Sequence, residues 1–298
     1  MRRRQSLAAL ATLGTSVGAM LSACTLGTSE TDASRNDASP QALATGPYPV
    51  AWVLSSGGPR GFVHVGVLKA LHALDLRPDL VLGSSVGALV GALYAGGVAP
   101  ERIEQMALEA SLITLFRLNL RPGQSWLSAG GLARLVNEAV GKPLQDFVPA
   151  FAAVAVRQPD DTLHALRRGD AGLAVQAACA VEGRLAPVTI AGQTFVDADR
   201  ISPLPVRLAR ALGARRVLAI DASAHEALAP PGSEAWRAAD LHKRRQTQAD
   251  AQHADWVLHP EFGYYTGISR DYRLRAIAAG YEQTLQQADS LRSLHGLT

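Results

Sequence analysis

Cysteine is scarce in this 298-residue chain, which contains only Cys24 and Cys179. Two cysteines form at most one disulfide bond, so a disulfide framework cannot hold the fold together. Cys179 lies in a run of small residues and is expected to be a buried packing residue. The eight histidines show no H-E-x-x-H or other ligand spacing. The sequence therefore indicates neither a metal nor another cofactor.

Long hydrophobic runs are also missing from the body of the chain. The longest apolar stretch there, residues 88–98, is too short and too rich in glycine to span a bilayer. The exception lies at the amino terminus, where three arginines precede a stretch of apolar and small residues from 7 to 20. This order is typical of an export signal.

The signal ends in Leu21-Ser22-Ala23-Cys24, which resembles the lipobox of bacterial lipoproteins. In a lipobox the cysteine is acylated and becomes the first residue of the mature protein. The resemblance implies that residues 1–23 are removed and that Cys24 carries the lipid. We expect an exported protein held by this lipid at a bacterial membrane, namely the outer membrane, facing the periplasm.

An excess of positive charge is absent once the signal is removed. Residues 1–23 contain three of the 29 basic residues and none of the 26 acidic ones, so the two signs then balance. No cluster of lysines and arginines is interleaved with aromatic residues. Nucleic acid is therefore not expected as a partner.

The remaining sequence predicts a tether followed by one domain. Residues 24–47 are rich in Thr, Ser, Asp and Ala without an apolar period, which is typical of a flexible linker. Residues 48–298 alternate predicted strands and helices, which indicates an α/β fold with a mainly parallel central sheet and helices on both faces. The predicted strands are 50–55, 80–84, 151–156, 162–166, 216–221 and 256–258, with a hairpin over 188–196. The predicted helices are 61–74, 86–95, 100–110, 130–140, 171–180, 203–212 and 272–291.

Ser85 is the candidate nucleophile. It lies in Gly83-Ser84-Ser85-Val86-Gly87, between an apolar strand and a helix of small residues. This is the context of a G-x-S-x-G nucleophile elbow, in which a sharp turn exposes the serine hydroxyl. The flanking glycines are needed because side chains there would collide with the neighbouring strand and helix. An ordinary turn between a strand and a helix is the alternative.

A glycine-rich loop, 56–61, precedes the first predicted helix. Its backbone N–H groups can stabilise an oxyanion at a helix amino terminus. The candidate donors are the amides of Gly57, Gly58, Arg60 and Gly61, since Pro59 has no N–H. Two alternatives fit less well. A dinucleotide fingerprint lacks its first glycine, and a P-loop lacks Gly-Lys-Ser/Thr.

A third motif, Phe195-Val196-Asp197-Ala198-Asp199, follows downstream. Together and in this order, the three motifs resemble the patatin-like phospholipase family. The resemblance implies a serine acyl hydrolase that uses a Ser-Asp dyad without a catalytic histidine. Ser85 would then be the nucleophile and Asp197 its base. The substrates would be phospholipids or other acyl lipids.

The chain departs from the family pattern at several positions. Ser56 replaces the first loop glycine, Asp-Gly-Gly becomes Asp197-Ala198-Asp199, and Glu182 replaces a proline. A positive φ at Ala198 would be strained. Asp199 is a second candidate for the base, and a weakly active or inactive protein is a further alternative.

Two other functions stay open on the sequence. One is an α/β-hydrolase triad with Asp221 as the acid and His253 or His259 as the base. The other is a lipoprotein that binds acyl chains or a partner through a decayed site.

His64 is expected to be a packed histidine, not a catalytic one. The apolar residues 111–120, with Trp126, are expected to pack in the core or, alternatively, to line an acyl pocket.

Overall fold

The computed structural model describes residues 46–111, 115, 117–118 and 127–297. The predicted signal 1–23, Cys24 and nearly all of the tether 24–47 lie outside these residues. So do Trp126 and much of the segment 111–120.

A mixed sheet forms the centre of the described fold. Its order is β10-β9-β1-β2-β5-β8-β7, and β6 pairs with the other edge of β5. The strands from β10 to β5 are mutually parallel, while β6, β7 and β8 run antiparallel to their neighbours. A short β3-β4 pair stands apart. The bounds are β1 Tyr48–Leu54, β2 Leu80–Ser84, β3 Arg117–Leu118, β4 Leu127–Ser128, β5 Ala150–Gln158, β6 Thr162–Leu166, β7 Val188–Ile190, β8 Gln193–Asp197, β9 Ala214–Ile220 and β10 Trp256–Leu258.

Helices cover both faces of this sheet. They are α1 Phe62–Ala73, α2 Val86–Ala95, α3 Pro100–Glu109, α4 Gly130–Val140, α5 Ala171–Ala178, α6 Val206–Ala211, α7 Glu234–Ala251, α8 Arg270–Leu285 and α9 Ala288–His295. Alternate residues of β1 belong to different cores: Trp52 and Leu54 pack with α1, α2 and α5, whereas Ala51 and Val53 pack with α6. This confirms the predicted α/β class with a mostly parallel sheet.

Two helices differ from the sequence prediction. The sequence prediction did not include the helix Glu234–Ala251. This helix lacks an apolar face, since Thr247 is the buried residue in it and most of its other side chains are polar or charged. The predicted final helix, 272–291, is interrupted after Leu285 and continues as a separate helix from Ala288. No described helix combines the length and apolar character needed to cross a bilayer.

Candidate active site

The sheet brings the ends of two strands together along one edge of β5. Strand β2 runs parallel to β5, and its last residue, Ser84, lies opposite Val154. Strand β8 approaches from the other direction and ends with Asp197 opposite Ala155. Since Val154 and Ala155 are consecutive, the chain leaves both strands at the same place. Ser85 and Asp197, 112 positions apart in the sequence, therefore belong to one site.

Ser85 occupies a strained turn between β2 and α2. Its φ of 52° and ψ of −124° lie outside the usual regions for a residue with a side chain. A Cβ atom on Gly83 would overlap the backbone of Gly87, and one on Gly87 would overlap the carbonyl oxygens of Leu54 and Ser55. Both glycines are therefore required by close backbone approach. The sequence prediction of an elbow at Ser85 agrees with this geometry.

Asp197 is a buried carboxylate with one oxygen held and the other open. Its side chain is among the buried polar groups, with 5% of the residue exposed. Oδ1 accepts a hydrogen bond from the Asp199 amide at 2.8 Å. Oδ2 has no hydrogen-bond partner among the described residues. This second oxygen is available to take a proton.

The environment raises the pKa of Asp197 to about 7. Burial is the main cause, because it disfavours the charged carboxylate. The Ser85 hydroxyl opposes the shift by stabilising the charged form, and the negative charge of Asp199 adds to it. A carboxylate with a pKa near neutrality is a far better base for a serine hydroxyl than an ordinary aspartate.

Cys179 and His64 lie close to the elbow in supporting positions. The Cys179 thiol donates to the Ser85 carbonyl oxygen at 3.2 Å, and burial raises the pKa of this thiol. His64 is fully buried, its Nε2 lies 2.9 Å from the Ser55 carbonyl oxygen, and burial lowers its pKa to about 4. It is neutral at physiological pH. Both residues occupy the packed positions expected from the sequence.

The glycine-rich loop leads into α1 through a 3-10 turn, Gly58–Gly61. Gly57 and Gly58 precede the first hydrogen bond of this turn, so their amides need no partner within it. The Arg60 amide, in contrast, donates to the Gly57 carbonyl oxygen at 3.1 Å. Gly61 ends the turn, and a side chain there would overlap Val86. Of the four predicted oxyanion donors, Arg60 has its amide occupied within the turn, whereas the amides of Gly57 and Gly58 are not needed there.

The Arg60 side chain connects the glycine-rich loop to two other segments of the chain. Nε donates to the Ala222 carbonyl oxygen at 3.1 Å, and Nη1 donates to those of Gly263 and Tyr264 at 3.0 Å each. The guanidinium also lies 4.5 Å from the centre of the Phe262 ring. Arg60 thus contributes through its side chain, a role that its position in the motif did not predict.

The family departures near Asp197 have defined places in the structure. Ala198 begins a 3-10 turn, Ala198–Arg200, and does not have the positive φ that would strain it. Asp199 accepts hydrogen bonds at Oδ1 from the Ser56 hydroxyl and from Lys243 Nζ. Glu182 is exposed, and its carboxylate lies 3.4 Å from Arg200 Nε. Sequence analysis missed Lys243, because no helix was predicted around it.

The residues of the alternative triad form a different set of contacts. Asp221 is fully buried and accepts from Arg244 Nη1 at 2.9 Å. His259 Nε2 lies 3.0 Å from the Ser223 carbonyl oxygen, and its ring stacks on His225 at 3.7 Å between centres. His253 lies just beyond α7, where its carbonyl oxygen accepts from Arg210. The side chains of Asp221 and His259 therefore have partners other than Ser85, whereas the contact of His253 is made by its backbone.

The fold and this site define an α/β protein with a serine elbow beside a buried carboxylate. The family description Patatin-like phospholipase matches residues 52–210, which include the glycine-rich loop, Ser85 and Asp197. The match extends over more than half of the chain. The chain belongs to the patatin-like phospholipase family.

Several curated proteins are similar over the same region. Patatin-like phospholipase domain-containing protein 6 of Homo sapiens is 31% identical over 185 residues, which is 59% of this chain and 14% of that protein. An uncharacterized NTE family protein of Mycobacterium tuberculosis is 31% identical over 185 residues, or 60% of this chain and 50% of that protein. Lysophospholipase NTE1 of Coccidioides immitis is 29% identical over 189 residues, or 61% of this chain and 12% of that protein.

The matched region therefore covers half or less of each of these relatives. Among solved structures, the crystal structure of VipD from Legionella pneumophila aligns with a TM-score of 0.45 and 14% sequence identity. That alignment covers 86% of this chain and 70% of the VipD chain.

Proposed function

We propose that this protein is a lipid acyl hydrolase that uses Ser85 as nucleophile and Asp197 as base. The observation that carries the proposal is the unpartnered Oδ2 of Asp197, a buried carboxylate with a pKa of about 7, beside the Ser85 elbow. Membership of the patatin-like phospholipase family supports the same chemistry. Asp199 is less suited to be the base, because Ser56 and Lys243 already occupy its Oδ1.

The proposed reaction has two halves. Asp197 takes the proton of the Ser85 hydroxyl while Oγ bonds to the ester carbonyl carbon, and the carbonyl oxygen becomes an oxyanion. The amides of Gly57 and Gly58 stabilise this oxyanion. When the carbon–oxygen bond of the ester breaks, the leaving alcohol receives the proton from Asp197. Water then gives a proton to Asp197 and attacks the acyl-enzyme, which releases the fatty acid and restores the Ser85 hydroxyl.

We infer that the substrates are acyl esters of phospholipids or related lipids. The relative from Coccidioides immitis carries the name lysophospholipase, which supports this class of substrate. The proposed lipid on Cys24 would hold the domain close to membrane lipids. Since phospholipids, lysophospholipids and simple esters share a carboxylic ester bond, hydrolysis of one substrate from each class has to be compared.

Labelling with a fluorophosphonate tests the nucleophile directly. The purified chain from residue 25 onward is treated with the probe, and the modified peptide is identified by mass spectrometry. We expect modification of Ser85, its complete loss in Ser85→Ala, and labelling at least about 100-fold slower in Asp197→Asn, since a general base contributes 10²-fold or more. Hydrolysis of a phospholipid, a lysophospholipid and a p-nitrophenyl ester is measured in parallel.

Ser84→Ala is the matched control, because Ser84 is fully buried and its hydroxyl has no hydrogen-bond partner among the described residues. We expect this variant to be labelled like the wild type. His259→Gln tests the alternative triad and is also expected to be labelled. Loss of labelling in His259→Gln would favour the triad, and a folded wild-type protein without labelling would favour a binding role.

A further inference from the structure

Two departures from the family pattern meet in space. Ser56 stands where the family's glycine-rich loop has its first glycine, and Asp199 stands where the family's aspartate loop has a glycine or alanine. The Ser56 hydroxyl donates to Asp199 Oδ1. The two loops that carry the candidate oxyanion donors and the candidate base are therefore joined by one side-chain hydrogen bond.

A third residue completes this contact from another part of the chain. Lys243, on α7, donates to the same Asp199 Oδ1 at 2.5 Å. The Lys243 side chain is 22% exposed and the Asp199 side chain 42%, so water reaches the ion pair mainly from the Asp199 side. Lys243 lies outside the residues matched by the family, 52–210. The helix α7, which the sequence prediction did not include, therefore contacts the aspartate loop.

The backbone connects this network to Asp197. The Asp199 amide donates to Asp197 Oδ1 at 2.8 Å, which fixes the orientation of the carboxylate and leaves Oδ2 open. The Ser56 amide in turn donates to the Pro203 carbonyl oxygen at 2.8 Å, just beyond the aspartate loop. Ser56 therefore contacts the segment 197–203 twice, through its hydroxyl and through its amide.

We propose that Ser56, Asp199 and Lys243 form a positioning network that locks the aspartate loop against the glycine-rich loop and balances the charge beside the Asp197 base. This inference rests on the proposed function of Asp197. Asp199 and Lys243 act through Asp197 and are positioning residues. Ser56 and Asp199, which replace small residues of the family pattern, keep the two loops joined. Lys243 supplies the positive charge that balances the Asp199 carboxylate.

The charged and titratable groups that face Asp197 determine the sign of each expected effect. Asp199 is negative and favours the protonated form of Asp197, whereas Lys243 is positive and favours the ionised form. Cys179 faces Asp197 from the end of α5 and stays neutral, since burial raises its pKa. Arg184 acts on Asp199 from farther away. Removing Asp199 and removing Lys243 should therefore move the pKa of Asp197 in opposite directions.

The test is the pH dependence of fluorophosphonate labelling and of kcat/KM between pH 5 and 9. In the wild type both should decline on the acidic side, because Asp197 must be ionised to act as a base. Asp199→Asn should move this decline to lower pH by about one unit, and Lys243→Met should move it to higher pH by a similar amount. Lys243→Arg, which keeps the charge, should resemble the wild type.

Lys69→Met is the matched control. Lys69 is 23% exposed and pairs with Glu104, so it resembles Lys243 in exposure and in pairing but lies on α1. Its pH profile should be unchanged. Titration of the Asp197 carboxyl by 13C NMR in the Ser85→Ala background gives the same shifts without requiring activity. Circular dichroism checks that each variant is folded.

The outcomes separate the two proposals. Opposite shifts in Asp199→Asn and Lys243→Met support the network. Labelling of the wild type together with unchanged profiles, or with shifts of the same sign, would overturn the network and leave the proposed hydrolase intact. A folded wild type that neither labels nor hydrolyses any ester would overturn both. If Asp199→Asn does not fold, Lys243→Met with the NMR titration still decides the question: a move of the Asp197 titration to higher pH supports the network, and an unchanged titration overturns it.

Discussion

The burial of Asp197 lowers the stability of the folded protein at neutral pH. Burial raises its pKa to about 7, from an ordinary value of 3.8. Ionising this carboxylate in the folded protein is therefore harder than in the unfolded chain. Below pH 3.8 both states are protonated and the folded state carries no penalty. The penalty develops as the pH rises toward 7, because the unfolded chain ionises first.

We therefore expect Asp197→Asn to stabilise the protein while it removes activity. The gain in the free energy of unfolding should be small near pH 4, should grow up to about pH 7 and should then level off, at no more than ~4 kcal/mol. Urea denaturation of both proteins at pH 4.5 and pH 8 measures it. A gain that is equal at the two pH values would mean that ionisation of Asp197 is not its origin.

At the scale of single elements, the elbow depends on close packing of backbone. Gly87, in the first turn of α2, packs directly against the carboxyl end of β1, where a Cβ atom would overlap the carbonyl oxygens of Leu54 and Ser55. The neighbouring strand cannot move away, because it is paired on both sides within the sheet. The rigid strand thus keeps Ser85 in its strained conformation.

Gly87→Ala is expected to destabilise the protein by about 1–3 kcal/mol through overpacking, and to abolish labelling of Ser85 by displacing the turn. Gly130→Ala is the matched control. Gly130 opens α4, and a Cβ atom there would meet its nearest neighbour, Ser128 Oγ, at an ordinary 3.5 Å. This control should change stability by less than about 0.5 kcal/mol. Thermal unfolding and labelling measure both effects.

The α7 helix acts as an electrostatic support for the loops that follow the strands. Lys243 reaches Asp199, and the next residue, Arg244, reaches the fully buried Asp221 beyond β9. Apart from Arg244, the Asp221 carboxylate accepts a hydrogen bond from the Ser223 amide. The helix contributes little apolar surface, so its charges define its position.

We expect Arg244→Met to destabilise the protein by about 1–3 kcal/mol, because it leaves a buried carboxylate without its charged partner. Arg245→Met is the control, since Arg245 is exposed on the same helix. It should have almost no effect. Equal losses in the two variants, measured by urea denaturation, would show that α7 is held by something other than the Asp221 contact.

At the scale of the whole molecule, we propose that Cys24 determines where the protein resides. In a bacterial host, Cys24→Ser should abolish incorporation of a labelled fatty acid and release the protein from the membrane fraction. Cys179→Ala is the control, because Cys179 is buried and is the other cysteine of the chain. It should retain both the lipid and the membrane association. Incorporation of fatty acid into Cys24→Ser would refute the anchor.

Much of the fold followed from local patterns. The strand 80–84 and the helices 86–95 and 130–140 have the predicted bounds, because apolar runs, glycines and small residues mark them in the sequence. The polar α7 escaped prediction, since its contacts are ion pairs with loops far away in the chain. Local sequence contains no sign of such partners.

The sequence alone determined the α/β class and predicted the elbow at Ser85, because both depend on residue types at short spacing. The proposal of Asp197 as the base came from the resemblance to the patatin-like phospholipase family, since an aspartate has no local signature of such a role. The tertiary structure decided that β2 and β8 end at adjacent positions of β5, which places Asp197 beside Ser85. It also decided that one carboxylate oxygen is open and that Ser56, Asp199 and Lys243 meet. These contacts join distant segments, and burial and pairing across such distances exist only once the sheet has formed.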